Sequence, residues 1–354
     1  MGAGYSILID NAPDPELGHP ASLEVHECIG SPATFRLTYG ADIKDGDLPL
    51  LADARLSPGT VISVFAQTAA GLPCLIKGPI TSQKITLVHG GAGSVLEVTG
   101  ADTSITMDRE NKAALWTGTD SSAVSQILGT YQLTPDVETT SATHEETKHI
   151  LVQRETDLAF VRRLARRNGC LFWVACDDTG LIETASFKRP PIDGEPVSEL
   201  TINLVDPPAN LAALEISWNV ERPTSAAAAQ VDLGSMSDID GEAAQSPLNP
   251  LGALGLAAIA AGTRTMHLHA PADDASDLKA RSEGALIDEE FFIRATGSTT
   301  AQALGGVLRS HTVVNLRGAG KRHSGKWLCS SVHHVIDDVG HRMNFELIRN
   351  GWEA

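Results

Sequence analysis

The sequence predicts a mainly β protein with an α+β module in its middle, and three observations carry that prediction. Strand-period alternation fills the first hundred residues, helical periodicity appears only between about 116 and 195, and strand alternation returns after 196. At 354 residues the chain has room for two or three cores. The expected organisation is a first β-barrel over 1–115, an α+β module over 116–195, and a second β-barrel over 196–354, interrupted by a polar, acidic loop and helix at about 223–290.

In the first unit Phe35, Leu37 and Tyr39 alternate with Arg36 and Thr38, a period of two with one face buried. Val61–Ala66, after the turn signal Pro58-Gly59, reads as a strand covered on both faces. Leu75–Ile76, Ile85–Val88 and Val95–Thr99 follow, separated by Gly78-Pro79 and by the glycine-rich run 90–93. Short strands punctuated by Gly/Pro turns indicate a barrel or a sandwich. In the middle, Asp120 can cap a helix bearing Ala123, Val124, Ile127, Leu128 and Tyr131. A second helix follows Thr156, with Leu158, Val161, Leu164 and Ala165 as its apolar stripe. Its polar side is Arg162, Arg163, Arg166 and Arg167, expected to be solvated, and Asn168-Gly169 is its stop. Leu171–Ala175 then reads as a buried strand.

Leu200–Val205 and the alternation Leu214, Ile216, Trp218, Val220 open the third unit. Residues 223–262 carry little periodic signal and read as a long loop, with a helix from about Asp273 to Leu286. Strands close the chain at Phe291–Ala295, Thr312–Leu316, Lys326–Ile336 and Arg342–Arg349.

Composition narrows the function classes. Hydrophobic residues make up 42% and mean hydropathy is −0.04, as in an ordinary globular protein. The longest apolar-rich run, 251–262, is far short of the ~20 residues that span a bilayer, so direct membrane insertion is not expected. The N-terminus lacks a basic start and meets acidic residues early, so a signal peptide is not expected and synthesis in a reducing cytoplasm is. The five cysteines (28, 74, 170, 176, 329) are scattered and form no C-x-x-C pair, which argues against a disulfide framework or a zinc knuckle. A formal charge of −17 argues against specific nucleic-acid binding. The charge is uneven: 223–290 holds eleven Asp/Glu against three Lys/Arg, and 309–350 seven Lys/Arg against three Asp/Glu. Opposite-sign surfaces of that kind suit subunits meeting one another.

Three near-motifs fall short of chemistry. His144-Glu145-Glu146-Thr147-Lys148-His149 has one residue too many for a zinc-protease pair; on a helix its histidines would point ~140° apart. Gly318-Ala319-Gly320-Lys321 lacks the leading glycine and trailing Ser/Thr of a phosphate loop, with Asn315 and Arg322 in those places, and reads as a glycine hairpin. Among His323, His333, His334 and His341, only one of the adjacent 333/334 pair can face a given side of a strand. One inward, hydrogen-bonded histidine is expected, and Asp337 and Asp338 sit nearby as possible oxygen ligands should a metal bind. Trp116, Trp173, Trp218, Trp327 and Trp352 lie in or beside strands and suit core or interface packing. No catalytic, cofactor or metal residue is assigned.

Two segments carry a family resemblance. Ile150–Val174 (ILVQRETDLAFVRRLARRNGCLFWV) resembles the signature of the phage late-control D proteins and related VgrG-type hubs. Its matching positions are Gln153, Thr156-Asp157, Phe160, Leu164-Ala165 and Gly169. Thr312–Arg349 resembles that family's closing hairpins through Ser324-Gly325, Trp327, Val332, His334 and the final Arg349. Asp108-Arg109, Trp116 and the helix from Asp120 fall where the family would place them.

The resemblance implies a non-enzymatic baseplate hub of a contractile phage tail or injection system. It implies two tube-like β-barrels per subunit, and a homotrimer that adapts a six-fold inner tube to a three-fold spike around a central lumen. The implied partners are the tube protein, baseplate wedge proteins, tape-measure or effector cargo, and a separate spike, since the sequence given ends without a needle. The acidic stretch 223–290 is expected on the outside or at a partner contact. The competing readings are a tail-associated hydrolase or metal-dependent enzyme, and a carbohydrate-binding β protein.

Overall fold

Alternation along the strands decides which side chains meet. Ser22–Cys28 turns Leu23 and Val25 inward, and Thr34–Gly40 does the same with Phe35, Leu37 and Tyr39. The computed structural model describes residues 4–41, 46–69, 71–89, 91–146, 150–232, 237–268 and 275–354. The protein is mainly β, built on one 13-stranded sheet. Along it lie Leu214–Trp218, Ile293–Thr300, His341–Arg349, Gly325–Ile336, Ser22–Cys28, Thr34–Gly40, Val95–Ala101, Cys74–Thr86, Val61–Ala66, Tyr5–Ile9 and Ala12–Pro13, each antiparallel to the next. Val313–Arg317 pairs the start of Gly325–Ile336 and carries Ser198–Thr201 parallel on its other side. Among the described residues no pairing joins the two ends of this path.

Three cores result. Leu23, Leu37, Val64 and Leu96 centre the first, and Ile336 from the far end of the chain joins them. The second packs Val124, Leu128, Phe160, Leu164 and Phe187 between the helices Asp120–Thr130 and Asp157–Arg167 and the small sheet that holds Leu171–Cys176. The third surrounds Trp327, with Leu200, Ile293, Val314, Met343 and Leu347. No helix of the described residues is long and apolar enough to cross a membrane.

The first helix corrects one detail: its N-cap is Thr119, whose hydroxyl accepts from the Ser122 amide, and Asp120 is the first helical residue. The larger correction concerns the polar stretch after 223. Ser225–Asp232 pairs antiparallel with Ser237–Ala243 and parallel with Thr265–Leu268, giving a three-stranded sheet where a loop was expected. Its period-two signal is hidden because the inward residues are Ala226 and Ala228, flanked by more alanine. A buried methyl contributes about 0.8 kcal/mol, against about 1.5–3 for a Leu or Val side chain, so this sheet depends on a lid. The lid is the helix Ala275–Glu289, whose Leu278 and Leu286 cover those alanines. The start expected at Asp273 lies outside the described residues.

That helix also docks on Asp157–Arg167. Gly284 faces Gly169 so closely that a Cβ on it would lie 2.7 Å from the Gly169 nitrogen and 2.9 Å from the Arg166 oxygen. Gly169 itself, at φ 64°, ends its helix in the left-handed conformation. Gly284→Ala should therefore destabilise the protein. A clash with backbone costs about 1–3 kcal/mol, more than the about 1 kcal/mol that alanine returns in helix propensity. A urea titration should show a lowered midpoint; an unchanged or raised one would mean that this helix does not sit on the module.

Candidate functional site

Among the residues that carry the family resemblance, Gln153, Asp157, His334 and Arg349 are buried polar groups. Gln153 is fully buried and Asp157 is 1% exposed. Gln153 Nε2 donates to Asp157 Oδ1 at 2.7 Å, while its Oε1 accepts from Trp116 Nε1 at 2.9 Å. Asp157 Oδ2 accepts from Tyr131 Oη and from Lys112. Burial pushes the Asp157 carboxyl up, but the bonds from Lys112, Tyr131 and Gln153 outweigh it and hold the group below its usual range. Thr156 caps the helix, accepting from the Ala159 amide and donating to Asp108. These side chains fix the strand-to-helix turn of the middle core.

The closing hairpins behave alike. Arg349 is fully buried and donates to the carbonyls of Leu251, Ser324 and Arg322 and to Glu353. Its guanidinium lies 5.7 Å from the centre of Trp327, whose Nε1 donates to the His323 carbonyl. Gly325 sits at φ 118°, a conformation that favours glycine, and a Cβ there would come within 3.2 Å of the Arg349 guanidinium.

Two histidines face inward where one was expected. His334 Nδ1 and His341 Nε2 are 3.0 Å apart and buried, so one ring donates and the other accepts. His333, on the opposite face, meets Glu24 at 2.9 Å, and His323 lies beside Trp352. Asp337 closes the turn to Gly340 and pairs with Arg342, and Asp338 is exposed. The four histidines thus do not converge, and among the described residues no group of three or more His, Cys, Asp or Glu is placed to hold a metal.

Other near-motifs resolve into packing. His144 is buried against Asp120 at 2.9 Å, while His149 lies outside the described residues. Asp120 also accepts from Asn168 at 2.8 Å and lies 3.4 Å from Arg167, which pairs in turn with Asp277 at 2.6 Å. Arg167 therefore ties the middle core to the helix Ala275–Glu289, correcting the expectation of a solvated arginine face; Arg163 pairs with Glu155. At 318–321 a one-turn helix, Gly320–His323, follows a close approach in which a Gly318 Cβ would strike the Ile202 carbonyl oxygen at 1.7 Å. Of the tryptophans, Trp327 is fully buried, Trp116 stacks on Phe160 and Trp173 on His311, and Trp218 remains 53% exposed on the edge strand.

The feature missed from sequence lies where the three cores meet. Cys74 and Cys176 are joined by a disulfide, Cα atoms 6.2 Å apart, which corrects the expectation of none and links the first core to the second. Beside it is a cleft of about 330 Å³ lined by Glu27, Lys77, Asp102, Trp173, Glu183 and Arg309, among others. Arg309 Nε donates to Glu27 at 2.6 Å, and its other nitrogens donate to the Cys74 and Leu75 carbonyls. Glu27 also accepts from the Ser310 amide. Burial lifts the Asp102 carboxyl to about 6. Burial and the nearby Arg309 hold His311 down to about 3. The partners come from segments as far apart as 283 residues, so no local spacing announces them.

Two predictions follow from these networks. Asp157→Ala leaves Tyr131 and Gln153 without their shared acceptor and Lys112, itself partly exposed, without its partner, so it should cost about 1.5–3 kcal/mol in chemical denaturation. The second is pH dependence. Burial holds His341 down to about 4 and His334 well below its ordinary value. The unfolded chain takes up protons first, so stability from these neutral rings is complete above about pH 6.5 and falls toward pH 4, with the His341 ring contributing on the order of 2 kcal/mol. Asp102, raised to about 6, acts in the opposite direction. The check is therefore differential: His341→Gln should flatten the fall in urea midpoint between pH 7 and pH 4.5.

Comparison with known proteins adds to this geometry. The tail protein from Neisseria meningitidis aligns at a TM-score of 0.69 and 16% identity, over 99% of this chain and 97% of that one. The prophage MuSo2 43 kDa tail protein from Shewanella oneidensis aligns at 0.67 and 13% identity, over 98% of each chain. The E. coli c3393 protein, described as a component of the type VI secretion system with structural similarity to T4 bacteriophage tail proteins gp27 and gp5, aligns at 0.57 and 16% identity, over 97% of this chain and 76% of that one. At such identities the likeness establishes a shared fold. No curated protein matches the sequence. The family model described as the Alg8 N-terminal domain matches residues 6–338, and the chain belongs to that family.

Proposed function

We propose that this chain is the structural hub of a contractile phage tail or injection system, of the late-control D and VgrG type. The observation that carries the reading is the end-to-end likeness to phage tail proteins, 98–99% of this chain, at TM-scores of 0.67 and 0.69. In this reading residues 1–115 and 196–354 each form a tube-like β-barrel flanking the α+β module at 116–195. Three subunits then join a six-fold tube to a separate three-fold spike around a lumen open to cargo, with wedge proteins outside. Its place is the assembled particle.

Among the described residues the outer edge of Leu214–Trp218 is unpaired, and with exposed Trp218 it supports edge-to-edge contact between subunits. The reading is of a non-catalytic protein. It is supported by the polar residues of both signature segments, which are engaged in holding turns and hairpins together.

Light scattering and negative-stain microscopy of the purified chain test it. A trimeric ring that binds the cognate tube or spike protein is expected. A stable monomer that binds neither would overturn the assignment.

A further inference from the structure

We propose that the Cys74–Cys176 bond is a reversible staple, made and broken by small thiols that enter the cleft and react at Cys176, and that it sets how firmly the middle module is held against the first core. The joint it crosses has contacts of its own. Cys74 pairs in its ladder with Phe65, and Cys176 pairs in its own with Glu183. Those two partners meet the opposite side of the joint. A Cβ on Gly180 would lie 2.6 Å from the Phe65 ring, and Lys77 Nζ donates to the Gly180 carbonyl and lies 3.8 Å from Glu183. These contacts hold the cysteine Cα atoms 6.2 Å apart, within the span a disulfide bridges, whether or not the sulfurs are joined.

The two cysteines differ in access. Cys74 is fully buried, whereas Cys176 is half-buried at the end of Leu171–Cys176 and lines the cleft. An incoming thiolate therefore meets Cys176 Sγ. It forms a mixed disulfide there and expels the Cys74 thiolate, which takes up a proton. A second thiolate attacks the outer sulfur of the mixed disulfide and leaves Cys176 as a thiol. Two external thiols are thus oxidised to one disulfide while the protein disulfide is reduced to two thiols. Closure runs the same steps backward, with a small-molecule disulfide as the oxidant. A cleft of about 330 Å³ admits reagents of that size. Of the three free cysteines only Cys28 shares the cleft; Cys170 and Cys329 are buried elsewhere.

The bond closes a span of 102 residues, so forming it narrows the unfolded ensemble. In a reducing compartment, where disulfides are not maintained, the contacts of Phe65 and Lys77 hold the joint without it. In an oxidising one the bond is added to them. This chemistry belongs to the isolated chain, so it stands or falls separately from the hub assignment.

The test is peptide mass spectrometry of the full native chain, acid-quenched after incubation with 2-mercaptoethanol or with its disulfide, bis(2-hydroxyethyl) disulfide. With 2-mercaptoethanol the bond should open without denaturant, and the trapped mixed disulfide should lie on Cys176. In excess bis(2-hydroxyethyl) disulfide the Cys74–Cys176 bond should re-form, and the urea midpoint should rise by on the order of 1 M over the reduced chain. Cys74→Ser should carry the hydroxyethylthio adduct on Cys176, whereas Cys176→Ser should leave Cys74 unmodified. A bond that opens only in urea, an adduct on Cys74, a pairing through Cys28, or one midpoint for both states would overturn the proposal. Should either variant not fold, the adduct position and the two midpoints of the wild-type chain decide it alone.

Discussion

The ladder between Ser22–Cys28 and Gly325–Ile336 is the contact on which the rest of the molecule depends. Six register pairs, from Ser331 with Cys28 to Ile336 with Leu23, join segments more than 300 residues apart and make two sheets into one. Gly325–Ile336 can do this because it changes neighbours along its length. Its first residues pair with Val313–Arg317, and those after the bulge between Cys329 and Ser331 pair with Ser22–Cys28. Such a bulge bends and twists its strand, which lets one strand serve two sheets. Ile336 thereby enters the first core, and Glu27 comes within reach of Arg309.

Polar burial follows the same logic of holding parts in register. Glu27–Arg309, Asp157 with Gln153, Arg349 with three carbonyls, and the Asp120–Arg167–Asp277 chain all sit where separate elements meet. Desolvating charges costs several kcal/mol per ion, so hydrophobic pairs of the same size would match or exceed them in stability. Their contribution is to direction: each admits one arrangement of strand, helix and loop.

What the sequence made legible was decided by contrast. Phe35, Leu37 and Tyr39 alternate with polar residues and announced their strand, and Thr156 with Asn168-Gly169 bounded the second helix. The sheet at 225–268 escaped notice because alanine faces both in and out, and helix docking through Gly284 leaves no hydrophobic signal. The disulfide and the cleft escaped for a different reason. Cys74 and Cys176 lie 102 residues apart, and the cleft takes side chains from five regions, so only tertiary structure brings them together. The signature residues were visible as a pattern, but their role was not: the buried bond between His334 and His341 depends on two strands meeting in one register.

The central claim, that both sheets act as one body through a single long-range ladder, is tested most directly by native-state hydrogen exchange. The amides of Leu23, Val25, Val332 and Ile336 should exchange only through global unfolding, with the same denaturant dependence as the core around Trp327. Exchange of those four through a smaller opening, while the first and third cores stay protected, would contradict it.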